Sequence, residues 1–216
     1  MPGFYLEKGG HNRPKNRAYC AKERNKFMKE ILVLVGSPHS QGATAKMIEV
    51  FLRPFQNEGF HISFFDTYRK HPAPCTGCGW CASHEECAIH DCCDQLDEQL
   101  RSCDLLVVAS PVYNLTFPAP LKAVLDRFQR YFEARFSLGL KPSILKHRSA
   151  VLLVAAGADS HDGPGIMERQ LKQCFSVMNT TLESTVAWIS TDQGETRWKE
   201  TEMALTRLSL AIFQKM

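Results

Sequence analysis

Residues 31–44 read ILVLVGSPHSQGAT, and this stretch decides the fold. Its five consecutive β-formers, Ile31 to Val35, predict a strand that is buried on both faces of a parallel sheet. The polar loop that follows leads into a segment with helical periodicity from Ala43 onward. A buried strand that passes through a small polar loop into a helix is the opening unit of an α/β domain.

The alternation of strands and helices continues along the rest of the chain. Strands are predicted at residues 31–35, 61–66, 104–109, 150–155 and 182–189. Helices are predicted at residues 43–58, 91–101, 118–136, 166–178 and 195–214. Because this order favours a parallel sheet covered by helices on both faces, we expect ligands at the carboxyl ends of the strands.

The composition limits the class of protein. The chain has 216 residues, of which 44% are hydrophobic and 23% charged, as in ordinary globular proteins. It contains no apolar stretch approaching the roughly 18–20 residues of a membrane span, and its first residues lack the apolar core of a signal peptide. We therefore expect a cytoplasmic protein, whose nine cysteines are metal ligands or redox groups rather than disulfides.

The basic charge of the chain is concentrated at its beginning. Residues 1–30 carry eight Lys/Arg and three Asp/Glu, a net charge of +5, whereas residues 31–216 carry 18 and 20, a net charge of −2. We predict that residues 1–28 form a disordered basic extension, because they are rich in Gly, Asn, Pro and Lys and lack apolar periodicity. The domain then covers residues 29–216, and we expect neither nucleic acid nor a membrane as a partner.

The loop after the first strand has the features of a phosphate site. Its backbone amides and the start of the next helix can hold an anion, and Ser37, Ser40 and Thr44 add hydroxyl donors. The small residues Gly42 and Ala43 allow a phosphate to approach the backbone closely. A nucleoside triphosphate loop would need a lysine before Thr44, so the pattern favours a single phosphate monoester. The alternative is an ordinary polar connection with a serine N-cap.

The loop after the third strand, residues 110–118, is rich in planar and apolar groups and reads SPVYNLTFP. Such a loop can lie along a flat heterocycle and offer backbone hydrogen bonds to its edge. A proline-braced turn with a purely structural role is the alternative.

Three motifs in this order carry a resemblance to a known family. Residues 36–44, the cysteine segment 75–87 and residues 110–127 together resemble the NAD(P)H-dependent FMN reductase and iron–sulfur flavoprotein family. The resemblance implies a flavodoxin-like three-layer sandwich with a five-stranded parallel sheet in the order 2-1-3-4-5. It also implies FMN as cofactor, NAD(P)H as hydride donor, and a homodimer or homotetramer.

The resemblance also assigns roles to individual residues. Five residues of the first loop would hold the FMN phosphate: Ser37, Ser40, Gly42, Ala43 and Thr44. Four residues of the third loop would line the ribityl chain and the isoalloxazine: Pro111, Val112, Tyr113 and Asn114. Gly157, after the fourth strand, would approach the polar edge of the flavin ring. No residue is assigned as a catalytic acid, base or nucleophile.

The cysteine segment has the spacing C-x2-C-x2-C-x5-C, formed by Cys75, Cys78, Cys81 and Cys87. Dense spacing of this kind is typical of iron–sulfur ligation and predicts a [4Fe–4S] cluster. Zinc is a second interpretation, with His84 or His90 as substitute ligands. A third is that the thiols bind no metal and pack beside the flavin. The remaining cysteines are predicted to be structural.

We predict an FMN-dependent oxidoreductase that takes hydride from NAD(P)H and passes electrons to a small acceptor, such as a quinone or free flavin. The alternative is an iron–sulfur flavoprotein that carries electrons between protein partners. Flavodoxin-type carriers are strongly acidic, for docking by complementary charge. The net charge of −2 on residues 31–216 therefore favours the enzyme.

Overall fold

The computed structural model describes residues 28–56, 59–195 and 197–216. The predicted disordered extension, except for Met28, lies outside these residues. Five parallel strands form one sheet: β1 (Lys29–Val35), β2 (Phe60–Asp66), β3 (Leu105–Pro111), β4 (Arg148–Ala155) and β5 (Thr180–Trp188). Their order is β2-β1-β3-β4-β5, which confirms the predicted fold class and topology.

Helices connect these strands. They are α1 (Ala43–Leu52), α2 (Thr67–Lys70), α3 (Cys92–Ser102), α4 (Ala119–Arg127), α5 (Gln129–Phe136), α6 (Asp162–Phe175) and α7 (Trp198–Lys215). Short 3₁₀ turns lie at Arg53–Phe55, Trp80–Ala82 and Thr191–Gln193. None of the helices in the described part of the chain is long and apolar enough to cross a membrane.

The core lies in two layers, one on each face of the sheet. Ile31 and Val33 of β1 pack with α1 and α7, whereas Leu32 and Leu34 pack with α3, α4, α5 and α6. Successive residues of a strand point to opposite faces, so the continuous apolar run in β1 supplies both layers. The functional loops are thereby held at the edges of a rigid scaffold.

Two helix predictions were wrong in extent. The helix predicted at 43–58 ends at Leu52 and continues only as a 3₁₀ turn, because Pro54 has no N–H and its ring clashes with the preceding turn. The helix predicted at 118–136 is two helices that meet at Phe128, whose amide bonds to the carbonyl of Leu125 rather than Val124. Neither glycine nor proline occurs at this bend. It follows instead from tertiary packing, because Phe128 is buried in the core.

Candidate functional site

The predicted phosphate loop and the β3 loop leave the sheet from neighbouring strands. The Gly36 amide donates to the Ala109 carbonyl of β3 at 2.8 Å, and the Val112 amide donates to the Ala155 carbonyl of β4 at 2.8 Å. The strand order reverses between β1 and β3, and in doubly wound sheets the crevice at this point is where ligands bind. The three predicted loops thus start at one edge of the sheet, as expected.

The start of α1 is open to an anion. Its N-cap, Gly42, has extended backbone geometry, and no described side chain caps it. In the described part of the chain, the amides of Ala43 and Thr44 make no hydrogen bond, as is usual in a first helical turn. The first turn also lacks an acidic residue. Free amides and the positive end of the helix dipole therefore point at the same place.

Hydroxyl groups surround this helix start. Ser37 and Thr44 are buried, Ser40 is exposed, and Ser37 Oγ accepts a hydrogen bond from the His39 amide at 3.2 Å. Ser37 and Ser40 also line a cavity of about 290 Å³, together with Tyr68 after β2. Donors of this kind, without a lysine, fit a phosphate monoester. The five predicted phosphate residues are thus together, as their short spacing requires.

The β3 loop is a tight turn that carries exposed apolar groups. The amides of Tyr113 and Thr116 donate to each other's carbonyls at 2.9 and 3.0 Å, while Asn114 and Leu115 adopt positive φ angles of 49° and 64°. The turn leaves Tyr113 42% exposed. Burial, followed by the proximity of Tyr113, raises the pKa of Tyr68. Tyr113 therefore lies near Tyr68, which is one of the residues that line the cavity beside the phosphate loop.

Gly157 contacts a residue that the sequence analysis missed. The loop after β4 is bonded to the loop after β5, because the amides of Ser190 and Thr191 donate to the carbonyls of Ala158 and Ala156. A Cβ at position 157 would lie 2.3 Å from Asp192 Oδ2. The close approach of the Asp192 carboxylate explains why glycine stands here, and the role of Gly157 at the flavin edge stays a prediction.

Val112 is held in place by Gly163 in the first turn of α6. A Cβ at position 163 would lie 2.6 Å from Val112 Cγ1, whereas a Cβ at Gly165 would have no neighbour within 4 Å in the described structure.

We expect the Gly163→Ala variant to be less stable to unfolding than Gly165→Ala by about 1–3 kcal/mol. The gain in helix propensity is shared by both variants, and Val112 is a stiff β-branched residue. Urea unfolding checks this, and equal midpoints would contradict the close contact.

The four predicted metal ligands line one cavity of about 200 Å³. Cys75, Cys81 and Cys87 are half-buried, and Cys78 is exposed. Burial makes the largest contribution in raising the pKa of Cys81, and the charges of Glu133, Cys87 and Cys75 add to it. The amide of Gly77 donates to Cys75 Sγ at 3.4 Å, a contact that stabilises a thiolate. All eight cysteines in the described ranges are free thiols, and Cys20 lies outside those ranges.

The four thiols do not form a ready-made site for a single ion. A tetrahedral zinc with Zn–S bonds of about 2.3 Å holds its sulfurs only ~3.8 Å apart. Within the described residues, no three of the four cysteines bring their sulfurs within 4.8 Å of one another. A cubane binds each thiolate through a different iron and therefore accepts wider spacing.

In a second group, formed by Asp91, Cys92 and Cys93, three ligand atoms do lie within 4.8 Å of one another. Burial raises the pKa of Cys93 to about 12, so that this thiol stays protonated. Asp91 is also engaged, since it accepts hydrogen bonds from the amides of Ala73 and Cys93, both at 2.9 Å. The prediction that Cys92 and Cys93 are structural remains the interpretation that fits these contacts.

Three charged residues of the cysteine cavity also escaped the sequence analysis. Arg127, Arg130 and Glu133 line it, although they lie 40 or more residues beyond the last predicted ligand. The buried Arg127 donates to the carbonyls of Ala73 at 3.2 Å and Ile89 at 2.7 Å, on either side of the cysteine segment. A buried arginine on an otherwise apolar helix face was the available signal.

Comparison with known proteins agrees with this geometry. An iron-sulfur flavoprotein from Archaeoglobus fulgidus is 32% identical over 140 residues, which cover 64% of this chain and 60% of that protein. The FMN-dependent NADH:quinone oxidoreductase 2 of Cupriavidus pinatubonensis is 30% identical over 104 residues, 45% of this chain and 50% of that protein. The chain thus spans only 50–60% of the length of these two relatives.

A solved structure shows the same fold. An azoreductase from Bacillus anthracis superposes with a TM-score of 0.64 at 18% identity, over 88% of this chain and all of that one. The family model described as NADPH-dependent FMN reductase matches residues 29–194, most of the chain and both predicted FMN loops. The protein therefore belongs to the NADPH-dependent FMN reductase family, with a flavodoxin-like fold.

Proposed function

We propose that the protein is an FMN-dependent oxidoreductase that takes hydride from NAD(P)H and passes electrons to a small acceptor, such as a quinone or free flavin. The observation that carries the proposal is the uncapped start of α1, with free amides and buried hydroxyls where the strand order reverses. Family membership supports it. A cytoplasmic location, where thiols stay reduced, is part of the proposal.

The residues of the chain would bind and orient the flavin. In this proposal Ser37, Ser40, Thr44 and the free amides of Ala43 and Thr44 hold the phosphate, and Gly42 lets it approach the backbone. Residues 111–114 lie along the ribityl chain and the ring. Gly157 would lie at the polar edge of the ring, where amide donors stabilise negative charge. Bound FMN supplies both hydride acceptance and single-electron transfer. The protein therefore contributes binding, orientation and electrostatics, and needs no side-chain nucleophile.

The four cysteines would hold a [4Fe–4S] cluster. Three observations support this part of the proposal. The four thiols share one cavity, no three of their sulfurs are gathered within 4.8 Å in the described residues, and Arg127 and Arg130, with side chains 4% and 11% exposed, offset thiolate charge. The cluster would pass single electrons. The name of the Archaeoglobus fulgidus relative, an iron-sulfur flavoprotein, agrees with it.

The second candidate function is an electron carrier between protein partners. The cysteine cavity favours it, because hydride acceptance alone does not require a cluster. The small negative charge of residues 31–216 argues against strong electrostatic docking.

We also propose a homodimer or homotetramer. Phe132 and Phe136 of α5 are 44% and 59% exposed, and their rings lie 4.6 Å apart. Adjacent exposed aromatic residues of this kind favour a surface that is covered by another chain. Light scattering of the purified protein would measure the oligomeric state.

The test is an anaerobic absorption spectrum of the purified protein, with assays of FMN, iron and sulfide and of NADH and NADPH oxidation. Flavin bands, about four iron atoms per chain and acceptor-dependent oxidation of NAD(P)H are expected. Flavin without iron would leave a reductase whose cysteines bind no cluster. Absence of flavin after incubation with FMN would overturn the proposed function.

A further inference from the structure

The wall of the cysteine cavity carries charge of both signs, and its positive charge is largely buried. Arg127, Arg130 and Glu133 all line it, on the last turn of α4 and the first two turns of α5. The side chains of Arg127 and Arg130 are only 4% and 11% exposed. A buried charge costs free energy unless something of opposite charge compensates it. The groups that compensate the charges of Arg127 and Arg130 therefore indicate what kind of ligand the cavity holds.

Arg127 closes the base of the cysteine segment. Its two terminal nitrogens donate to the carbonyls of Ala73 and Ile89, and Nη1 also lies 3.3 Å from Asp91 Oδ2. Burial would raise the pKa of Asp91, but hydrogen bonds from two amides and the charge of Arg127 together lower it. The charge of Arg127 is therefore paired, and its contribution is to hold the two ends of the segment together.

Arg130 is less completely paired. Its Nη2 donates to the Glu85 carbonyl at 2.5 Å, and its ion-pair partner Asp97, 3.4 Å away, is shared with Arg101 at 2.9 Å. Two guanidinium groups thus share one carboxylate, which leaves an excess positive charge beside the cavity. In residues 28–56, 59–195 and 197–216, Nε of both Arg127 and Arg130 is buried without a hydrogen-bond partner.

Glu133 places negative charge at the same cavity, one turn after Arg130. Its carboxylate accepts hydrogen bonds from Gln129 Nε2 at 3.0 Å and from the Ser137 hydroxyl. It lines the same cavity as Cys81 and the other three predicted ligands. Arg130 and Glu133 therefore bring charges of opposite sign to the cysteine cavity from the same helix.

We propose that Arg130 and Glu133 set the reduction potential of the group that the four cysteines hold, and that Arg127 is a positioning residue of the cysteine segment. This inference rests on the proposed function. Four thiolates make the loaded site negative, and one-electron reduction adds another negative charge. A nearby positive charge therefore favours the reduced state, and a nearby carboxylate opposes it.

The test compares the charge-removing substitutions Arg130→Gln and Glu133→Gln in the iron-loaded, full-length protein. At a given applied potential, the reduced-to-oxidised ratio should fall about tenfold in Arg130→Gln and rise about tenfold in Glu133→Gln. These changes correspond to midpoint shifts of about 59 mV in opposite directions. An anaerobic redox titration followed by electron paramagnetic resonance measures them, and the flavin content of the same samples reports on folding.

Arg135→Gln is the matched control. Arg135 lies on the same helix, its Nε is also buried without a partner in the described ranges, and its Nη1 donates to the Ser176 carbonyl at 2.9 Å. It is not among the residues that line the cavity. The midpoint potential of the Arg135→Gln variant should match that of the wild type, because the charge of Arg135 faces a different part of the protein.

Arg127→Met tests the positioning role. We expect it to retain FMN and to lose more than half of its iron, whereas Arg135→Gln should keep both. Unchanged potentials in the Arg130 and Glu133 variants, or shifts of the same sign, would overturn the charge inference while leaving the cluster in place. Full iron content in Arg127→Met would overturn its positioning role. A wild-type protein that takes up no iron on anaerobic reconstitution would overturn the inference together with the proposed cluster.

Discussion

Replacing Cys81 by alanine is expected to abolish iron binding while FMN binding is retained. Cys81 is half-buried and lines the cavity that it shares with the other three predicted ligands. In a [4Fe–4S] cluster held by four cysteines each thiolate binds a different iron, so losing Cys81 would leave one iron without its protein ligand and weaken retention of the whole cluster. The iron content should therefore fall from about four atoms per chain to a small fraction of that value. FMN should stay bound, because the phosphate loop belongs to different elements.

Cys174→Ala is the matched control, since Cys174 is also a half-buried free thiol but lies on α6, away from the cavity. This variant should keep its full complement of iron and FMN. The measurement is colorimetric iron and sulfide analysis beside the flavin absorbance. Normal iron in the Cys81 variant, or zinc in place of iron in the wild type, would contradict the cluster.

The second large effect is expected from Ala43→Asp at the start of α1. A carboxylate there would occupy the uncapped helix start that is proposed to hold the FMN phosphate. Like charges about 4 Å apart repel by about 4 kcal/mol at an effective dielectric of 20, so FMN affinity should fall at least a hundredfold. The same substitution should stabilise the FMN-free protein by about 0.3–1 kcal/mol, because acidic residues suit the first turn of a helix.

Ala43→Asn separates charge from shape. This variant has nearly the same volume as Ala43→Asp and no charge, so its FMN affinity should fall less than tenfold. Fluorescence titration with FMN measures affinity, and thermal unfolding without FMN measures stability. Equal FMN affinities of the Asp and Asn variants would show that the phosphate binds elsewhere.

The sequence predicted the strands of the sheet well because each strand is marked by a local pattern of apolar residues. Continuous apolar runs at 31–35, 104–109 and 150–155 mark strands that are buried on both faces. The structure extends several strands by one or two residues, since pairing with neighbours, as between Lys29 and Phe60, determines where a strand begins. The strand order came from the family resemblance, because alternation alone does not specify which strands are adjacent.

Helix ends were predicted less well. The break near Pro54 had a local cause and could have been found in the sequence. The bend at Phe128 had no local cause, because the residues around it are ordinary helix formers. Burial of Phe128 against the sheet and the contacts of Arg127 with a loop 36–54 residues away decide it.

The candidate site divides in the same way. The sequence by itself determined the parallel α/β class and predicted the phosphate loop and the four thiol ligands, because the strands, the loop and the cysteine segment are each short stretches of the chain. Only the tertiary structure decided that Asp192 packs against Gly157, that Val112 rests on Gly163, and that Arg127, Arg130 and Glu133 form the wall of the cysteine cavity. These contacts join segments that are far apart in the chain. They arise from how helices pack on the sheet, which depends on the shapes of many side chains at once rather than on any local pattern.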